Sequence, residues 1–227
     1  MKLSDNTITI LKNFAGINQS LQFKQGSVLK TINQGKTIFA EATVEETFPR
    51  DFAIYDVTKL LAINSLYNDA ELSFEENQVT FTTSSDEVGS TKYCSPELLT
   101  HPPAKEIKLP QVDCSFDVSR ELLEWMRKAA GISQLPNFVF ESDGSVVTFI
   151  ATDVQNDACD QYKKKLGAGD GKKFRVTMKV EHFKLIDGDY EVSISKRGLA
   201  RFKNKTVPVT YYLAVEADSS NFEDGEE

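Results

Sequence analysis

Histidine is nearly absent from this chain, tryptophan occurs once and cysteine three times. His101 and His182 lie far apart and no Cys-x-x-Cys pair exists, so a structural zinc site or a histidine-based triad is poorly supplied. Cys94, Cys114 and Cys159 are odd in number and widely spaced. They read as reduced packing residues of an intracellular protein, not as a disulfide framework. No apolar run approaches the ~18 residues that a membrane helix needs, and MKLSDNTITILKNF lacks the apolar stretch of a signal peptide. No serine sits in a Gly-x-Ser-x-Gly elbow.

Two segments imitate binding motifs without completing them. The stretch from Gly167 to Lys172 would need glycine where Leu166 stands, and serine or threonine where Lys173 stands, to be a P-loop. It reads as a flexible hairpin loop. Asp153, Asp157 and Asp160 lack the glycine and terminal glutamate of a calcium loop. Acid/base pairs are equally missing, so catalytic residues, metal and cofactor are all expected to be none. The chain reads as a binding protein.

Positive charge is also in deficit: 26 Lys and Arg face 34 Asp and Glu, a formal net charge of −8. That argues against nucleic acid on average, because phosphate binding rests on surplus cations. Distribution can overturn the average. Glu223, Asp224, Glu226 and Glu227 crowd the C-terminal tail, and the basic residues cluster elsewhere.

What the chain does contain is a repeat. ILKNFAGINQSLQFKQGSVLKTI around Ala15-Gly16-Ile17 is matched by WMRKAAGISQLPNFVFESDGSVVTFI around Ala130-Gly131-Ile132, 115 residues later. AIYDVTKLLAI (53–63) lies over VTMKVEHFKLI (176–186), and Glu71-Leu72-Ser73-Phe74 over Glu191-Val192-Ser193-Ile194. A unit of helix, sheet, helix and sheet thus occurs twice, which predicts two similar α+β domains and a pseudo-symmetric assembly. The expected boundaries are 1–95 and 111–227. Residues 96–110 hold four of the seven prolines and read as an extended connector.

Ser4 or Asp5 is expected to cap a first helix with Ile8, Leu11 and Phe14 or Ala15 inward, ended by Gly16. A second, from about Thr58 to Leu66, turns Leu60, Ile63 and Leu66 inward. Ser119 caps the third, RELLEWMRKAA, with Leu122, Leu123 and Met126 inward. A short fourth, of one turn at the least, lies near 180–185. Their outward faces carry Lys2, Lys12, Lys59, Arg120, Arg127, Lys128, Lys179, His182 and Lys184, with Lys163 to Lys165 as a basic run at a strand end. For any one helix this reads as a solvated face, mixed with Glu45, Glu46, Glu121, Glu124 and Glu181. The duplication changes the weighing, because heterologous contacts between such subunits can close a ring.

The opening MKLSDNTITILKNFAGIN, the segment FAIYDVTKLLAINSLYNDAEL and the ending YYLAVEADSSNF resemble the T-even-type bacteriophage sliding clamps, DNA polymerase processivity factors, along nearly the whole length. YYLA before an acidic tail is also similar to the end of the cellular ring clamps. The resemblance implies a DNA-clamp fold with antiparallel sheets outside and helices lining a ring. It further implies a homotrimer around duplex DNA, a clamp-loader ATPase and the replicative DNA polymerase as partners, no enzyme activity, no membrane, and a place in the host cytoplasm. Lys12, Lys59, Arg120, Arg127, Lys128, Lys179 and His182 are then expected to face DNA. A partner peptide is expected near Ala42, Val44, Phe48, Leu98, Leu99, Ala214 and Val215. Ordinary packing is the competing account of each.

Ring closure is expected to pair an edge near Thr91 and Tyr93, or near Val79 to Thr83, with one near Asp160 and Tyr162. Lys92 and Lys163 to Lys165 fit equally as guards against stray pairing. The other function class weighed is a phage structural ring or tube subunit with duplicated β domains. It would need no loading and would stimulate no polymerase.

Overall fold

A computed structural model of the chain describes residues 1–67, 69–85 and 87–223. Asp224, Glu226 and Glu227 of the acidic tail lie outside the described residues. The chain divides into two compact units, Met1–Lys105 and Glu106–Glu227, so the division falls inside the stretch expected to be a connector. Pro96–Leu98 forms one 3-10 turn there.

The first unit opens with helix α1 (Asp5–Ile17). Ser4 caps it, its hydroxyl accepting from the Thr7 N–H at 3.2 Å. The helix does not stop at Gly16. Ile17 continues the stripe of Ile10, Leu11 and Phe14 into the core, and the Asn18 N–H closes the last turn on the Phe14 carbonyl. Glu46 accepts from the Ser4 N–H and the Thr7 hydroxyl, tying the helix start to the sheet. It is buried, not one of the solvated carboxylates that the sequence suggested.

Strands β1 (Leu21–Phe23), β2 (Gly26–Ile32), β3 (Ile38–Phe48) and β4 (Phe52–Ile54) follow. β1 pairs with β4 and β2 with β3, all antiparallel. Helix α2 (Val57–Leu66) then leads into a three-stranded sheet of β5 (Glu71–Phe74), β6 (Gln78–Thr82) and β7 (Val88–Lys92). Phe23, Phe48, Phe52 and Phe74 form an aromatic core, with Phe23 stacked on Phe52 at 4.4 Å.

The second unit repeats this order. β8 (Cys114–Val118) precedes helix α3 (Arg120–Ile132), which Ser119 caps from its hydroxyl to the Leu122 N–H. Then come β9 (Asn137–Asp143), β10 (Val146–Thr152), β11 (Tyr162–Ala168) and β12 (Lys173–Lys179). A single 3-10 turn (Val180–His182) stands where the first unit has α2. β13 (Tyr190–Ser195), β14 (Leu199–Asn204), β15 (Val209–Ala214) and the short β16 (Asn221–Glu223) complete the chain.

The pairings match as well as the order. β9·β12 and β10·β11 correspond to β1·β4 and β2·β3, and β13-β14-β15 to β5-β6-β7. β8 lies along β13 as Met1 lies along β5, where Met1 and Leu72 exchange both backbone hydrogen bonds. Gly26 and Gly144, one at each matched Gly-Ser-Val, adopt φ of 115° and 94°, which a side chain would resist.

One difference follows from one residue. Asp56 caps α2, its carboxylate accepting from the Lys59 N–H at 2.9 Å. The position aligned with it is Lys179, which has no acceptor to offer, and the backbone there makes a turn rather than a helix.

Candidate nucleic-acid and subunit interfaces

The helices carry their charge unevenly. Lys12 on α1, Lys59 on α2, Lys128 on α3 and Lys179 at the end of β12 are all exposed. Among the described residues none of them lies within ion-pair distance of a carboxylate. Long flexible ammonium groups of this kind attract phosphate without fixing a geometry. Arg120 is exposed but engaged, 2.7 Å from Glu124 one turn on and 3.9 Å from Asp187.

Two of the seven residues expected to face DNA do something else. Arg127 turns inward: its Nη2 donates to the carbonyls of Phe183 (2.7 Å) and Leu185 (3.2 Å), and Nη1 lies 3.6 Å from Asp187. It holds the segment that replaces the missing helix. His182 is 5% exposed and its Nδ1 has no partner among the described residues. Burial pushes its pKa below the ordinary histidine value, only partly countered by Glu181, so it is neutral and not a channel cation.

The sign of the resulting pH dependence follows. Below the ordinary value near ~6.5 the unfolded chain takes up a proton that the folded imidazole resists. The stabilisation is full above that value and is lost as pH falls toward the depressed one. Urea midpoints measured from pH 7.5 to 5.5 should therefore fall more steeply for the native chain than for His182→Leu. Equal slopes would show that the buried ring does not titrate as described.

The residues expected at a partner pocket are scattered in accessibility. Ala42, Val44 and Phe48 are all buried on the inward face of β3. Phe48 meets the rings of Phe23, Phe52 and Phe74 at 5.0 to 6.0 Å, so it belongs to the core of the first unit and cannot receive a peptide. Leu99 is buried and Leu98 is 68% exposed. In the second unit Ala214 and Val215, at the end of β15, are half-exposed.

Strand edges are resolved more sharply. β6 lies between β5 and β7, so Val79 to Thr83 is not an edge. β7, which holds Thr91, pairs only with β6 among the described residues, and β11 only with β10. Tyr93, just past β7, stacks on Phe52 at 4.9 Å and packs into its own unit. Asp160 and the hydroxyl of Tyr162 each lie 2.9 Å from the Ser133 hydroxyl, binding the start of β11 to the end of α3.

Beside these two edges stand exposed hydrophobes that sequence reasoning missed. Trp125 (46%) and Ile132 (80%) project from α3, and Trp125 meets Tyr162 edge-on at 6.1 Å. In the first unit Leu66 (75%) and Val88 (65%) stand beside β7. Tyr67 lies so close over Gly89 that a Cβ there would strike its ring. Leu66 had been expected inward. It sits where α2 ends and no neighbour covers it. Large apolar groups next to an unpaired strand mark a surface that a protein covers.

Two duplicated units of antiparallel sheets and few helices, with free edges at both, are the arrangement that comparison with known proteins identifies. The family model for DNA polymerase processivity factors matches residues 3–97. The sliding clamp of Vibrio phage KVP40 is 32% identical over 222 residues, covering 96% of this chain and 100% of that protein. This chain belongs to the sliding-clamp family. The sliding clamp of Enterobacteria phage T4 is 28% identical over 97% of this chain and 99% of that protein. Among solved structures, the A. fulgidus PCNA with the C-terminal region of FEN-1 bound superposes with a TM-score of 0.65 at 13% identity. It covers 92% of this chain and 94% of that one, which shows the shared clamp fold.

Proposed function

We propose that this chain assembles as a homotrimeric ring around duplex DNA and tethers the replicative DNA polymerase, a clamp-loader ATPase opening and closing the ring. The observation that carries this reading is family membership over 96% of the chain. Three exposed lysines without ion-pair partners on α1, α2 and α3 support it. Retention by a ring is topological, so the inner surface needs only weak, salt-screened attraction to phosphate. A net charge of −8 is compatible with that arrangement, because a few local cations suffice. Tethering then turns repeated bimolecular rebinding of the polymerase into an intramolecular step at an effective concentration on the order of mM. The reading places the protein in the infected host cell. No helix among the described residues is long and apolar enough to cross a membrane.

The test is primer extension with the cognate polymerase and loader. The triple variant Lys12→Glu, Lys59→Glu, Lys128→Glu should cut processive product by about tenfold or more at moderate salt, since each lost phosphate contact lowers affinity and its salt slope by roughly one unit. Melting temperature and oligomeric mass should be unchanged. Full-length product in normal yield from that variant would refute the assignment of these helix faces to DNA. Arg127 is left out because its role is structural.

A further inference from the structure

A cavity of about 930 Å³ lies wholly within the second unit, with Arg127 and Lys179 in its lining. Its walls are the C-terminal half of α3, the turn into β9, the loop after β10, the start of the 3-10 turn and the segment after β15. It exists because of the difference between the two units. In the first, Gln19 donates to Asp56 at 2.8 Å and closes this corner against the start of α2. The aligned residues are Gln134 and Lys179, which make no such bond, and no second helix follows, so the corner stays open.

The groove is acidic at its rim and apolar at its floor. Asp153, Glu181, Glu216 and Asp218 line it. None of the four pairs with a lysine or arginine among the described residues. The one charged-group neighbour of Glu181 is His182 at 3.9 Å, which burial keeps neutral. Of the two cations in the lining, Arg127 is committed to the Phe183 and Leu185 carbonyls, leaving Lys179 alone against four carboxylates. Ala130, Leu135 and Val180 supply the apolar floor. The volume accommodates roughly two turns of an α-helix ~10 Å across.

We propose that this groove docks a short basic helical segment of a partner protein, its lysines or arginines meeting the four carboxylates and an apolar residue meeting the floor. This is the helix-in-groove mode of recognition, with charge setting the choice of partner. The site is confined to one unit. It shares Lys179 with the cations considered for DNA, so the variants below leave Lys179 unaltered.

Fluorescence anisotropy on the full chain tests it. The probe is a labelled amphipathic peptide with lysine and leucine at helical spacing, compared with the same peptide bearing glutamate for lysine. The lysine peptide should bind and the glutamate peptide should not. The triple variant Asp153→Asn, Glu216→Gln, Asp218→Asn should weaken binding about tenfold or more. The control Asp117→Asn, Glu191→Gln, which neutralises exposed carboxylates elsewhere in the same unit, should leave affinity within about twofold of the native chain. Binding of the polymerase's C-terminal peptide should be the same in all three proteins. Equal losses in triple variant and control would overturn the proposal in favour of diffuse charge attraction. Equal binding of the glutamate peptide would overturn it outright. Loss of polymerase-peptide binding in the triple variant would show the groove to be the polymerase site instead. Asparagine at 153 keeps the acceptor for the Gln155 N–H, so the loop is preserved.

Discussion

Arg127→Ala is expected to destabilise the second unit by about 2–4 kcal/mol, the cost of leaving buried carbonyls without donors and losing a largely covered charge. The segment from Phe183 to Asp189 has no regular structure between the 3-10 turn and β13. Its backbone is held from outside. The guanidinium reaches the carbonyls of Phe183 and Leu185, Tyr190 donates to the Ile186 carbonyl, and the Ile186 N–H donates to the Tyr211 hydroxyl at 3.2 Å. Burial lowers the pKa of Arg127, countered in part by Tyr190 and Asp187, but arginine starts so high that it stays charged. Arg127→Lys should recover only part of the loss, since one ammonium cannot reproduce a planar fork. For a chain of this size the alanine variant should melt roughly 5–15 °C lower, at ~2–4 °C per kcal/mol. Lys128→Ala, one position along the same helix but exposed, should melt with the native chain. A native melting temperature for Arg127→Ala would mean the hydrogen bonds contribute little and the residue is free to serve DNA after all.

Ring stability should depend as strongly on two hydrophobes that make no contribution to either core. Ile132→Asp and Leu66→Asp are each expected to release monomers at concentrations where the native chain holds the proposed ring together. Covering an isoleucine or leucine side chain contributes about 1.5–3 kcal/mol. Every closed ring repeats the contact at each of its junctions, so one substitution weakens all of them by roughly 10- to 100-fold in dissociation constant. The free edge of β11 can supply the backbone pairing, but a strand edge flanked by Lys163, Lys164 and Lys165 resists casual partners. On this proposal the exposed apolar groups beside β7 and β11 would provide the specific part. Mass photometry over a dilution series measures the outcome. Trp125, the single tryptophan, gives a second readout: its emission should shift to the blue on assembly in the native chain and stay red-shifted in both variants. An assembled mass unaltered from the native chain's in both variants would remove these faces from the proposed ring junctions.

Both expectations concern residues whose behaviour no local pattern announces. Arg127 and Lys128 are neighbours on one helix and read alike as outward cations. Periodicity assigns a helix face, but it does not report whether something stands opposite that face. In the first unit α2 stands there; in the second a single turn does, and Arg127 turns in to the carbonyls that follow it. Leu66 obeys the helical spacing of Leu60 and Ile63 and is still 75% exposed, because it is the last residue of α2 and no segment of the described residues covers it. Phe48 and Glu46 sit on β3, where strict alternation buries both, so the carboxylate depends on Ser4 and Thr7 for its hydrogen bonds and the ring on Phe23, Phe52 and Phe74.

Short-range chemistry, by contrast, was legible throughout. Serine hydroxyls at positions 4 and 119 start two helices of thirteen residues each, and glycines at 26 and 144 take the left-handed turn that the matched Gly-Ser-Val requires. One exception of that kind is Gly16, expected to stop α1 although the helix passes through it, since tertiary burial of Ile17 outweighs the glycine's helix penalty of about 1 kcal/mol. Residue order alone therefore carried the duplication, the helix starts and the family resemblance, because caps, turns and two-residue alternation act within a few positions. Which cations point outward, which edges stay unpaired and where a groove opens were decided by folding, because each depends on what a distant segment brings, or fails to bring, against that face.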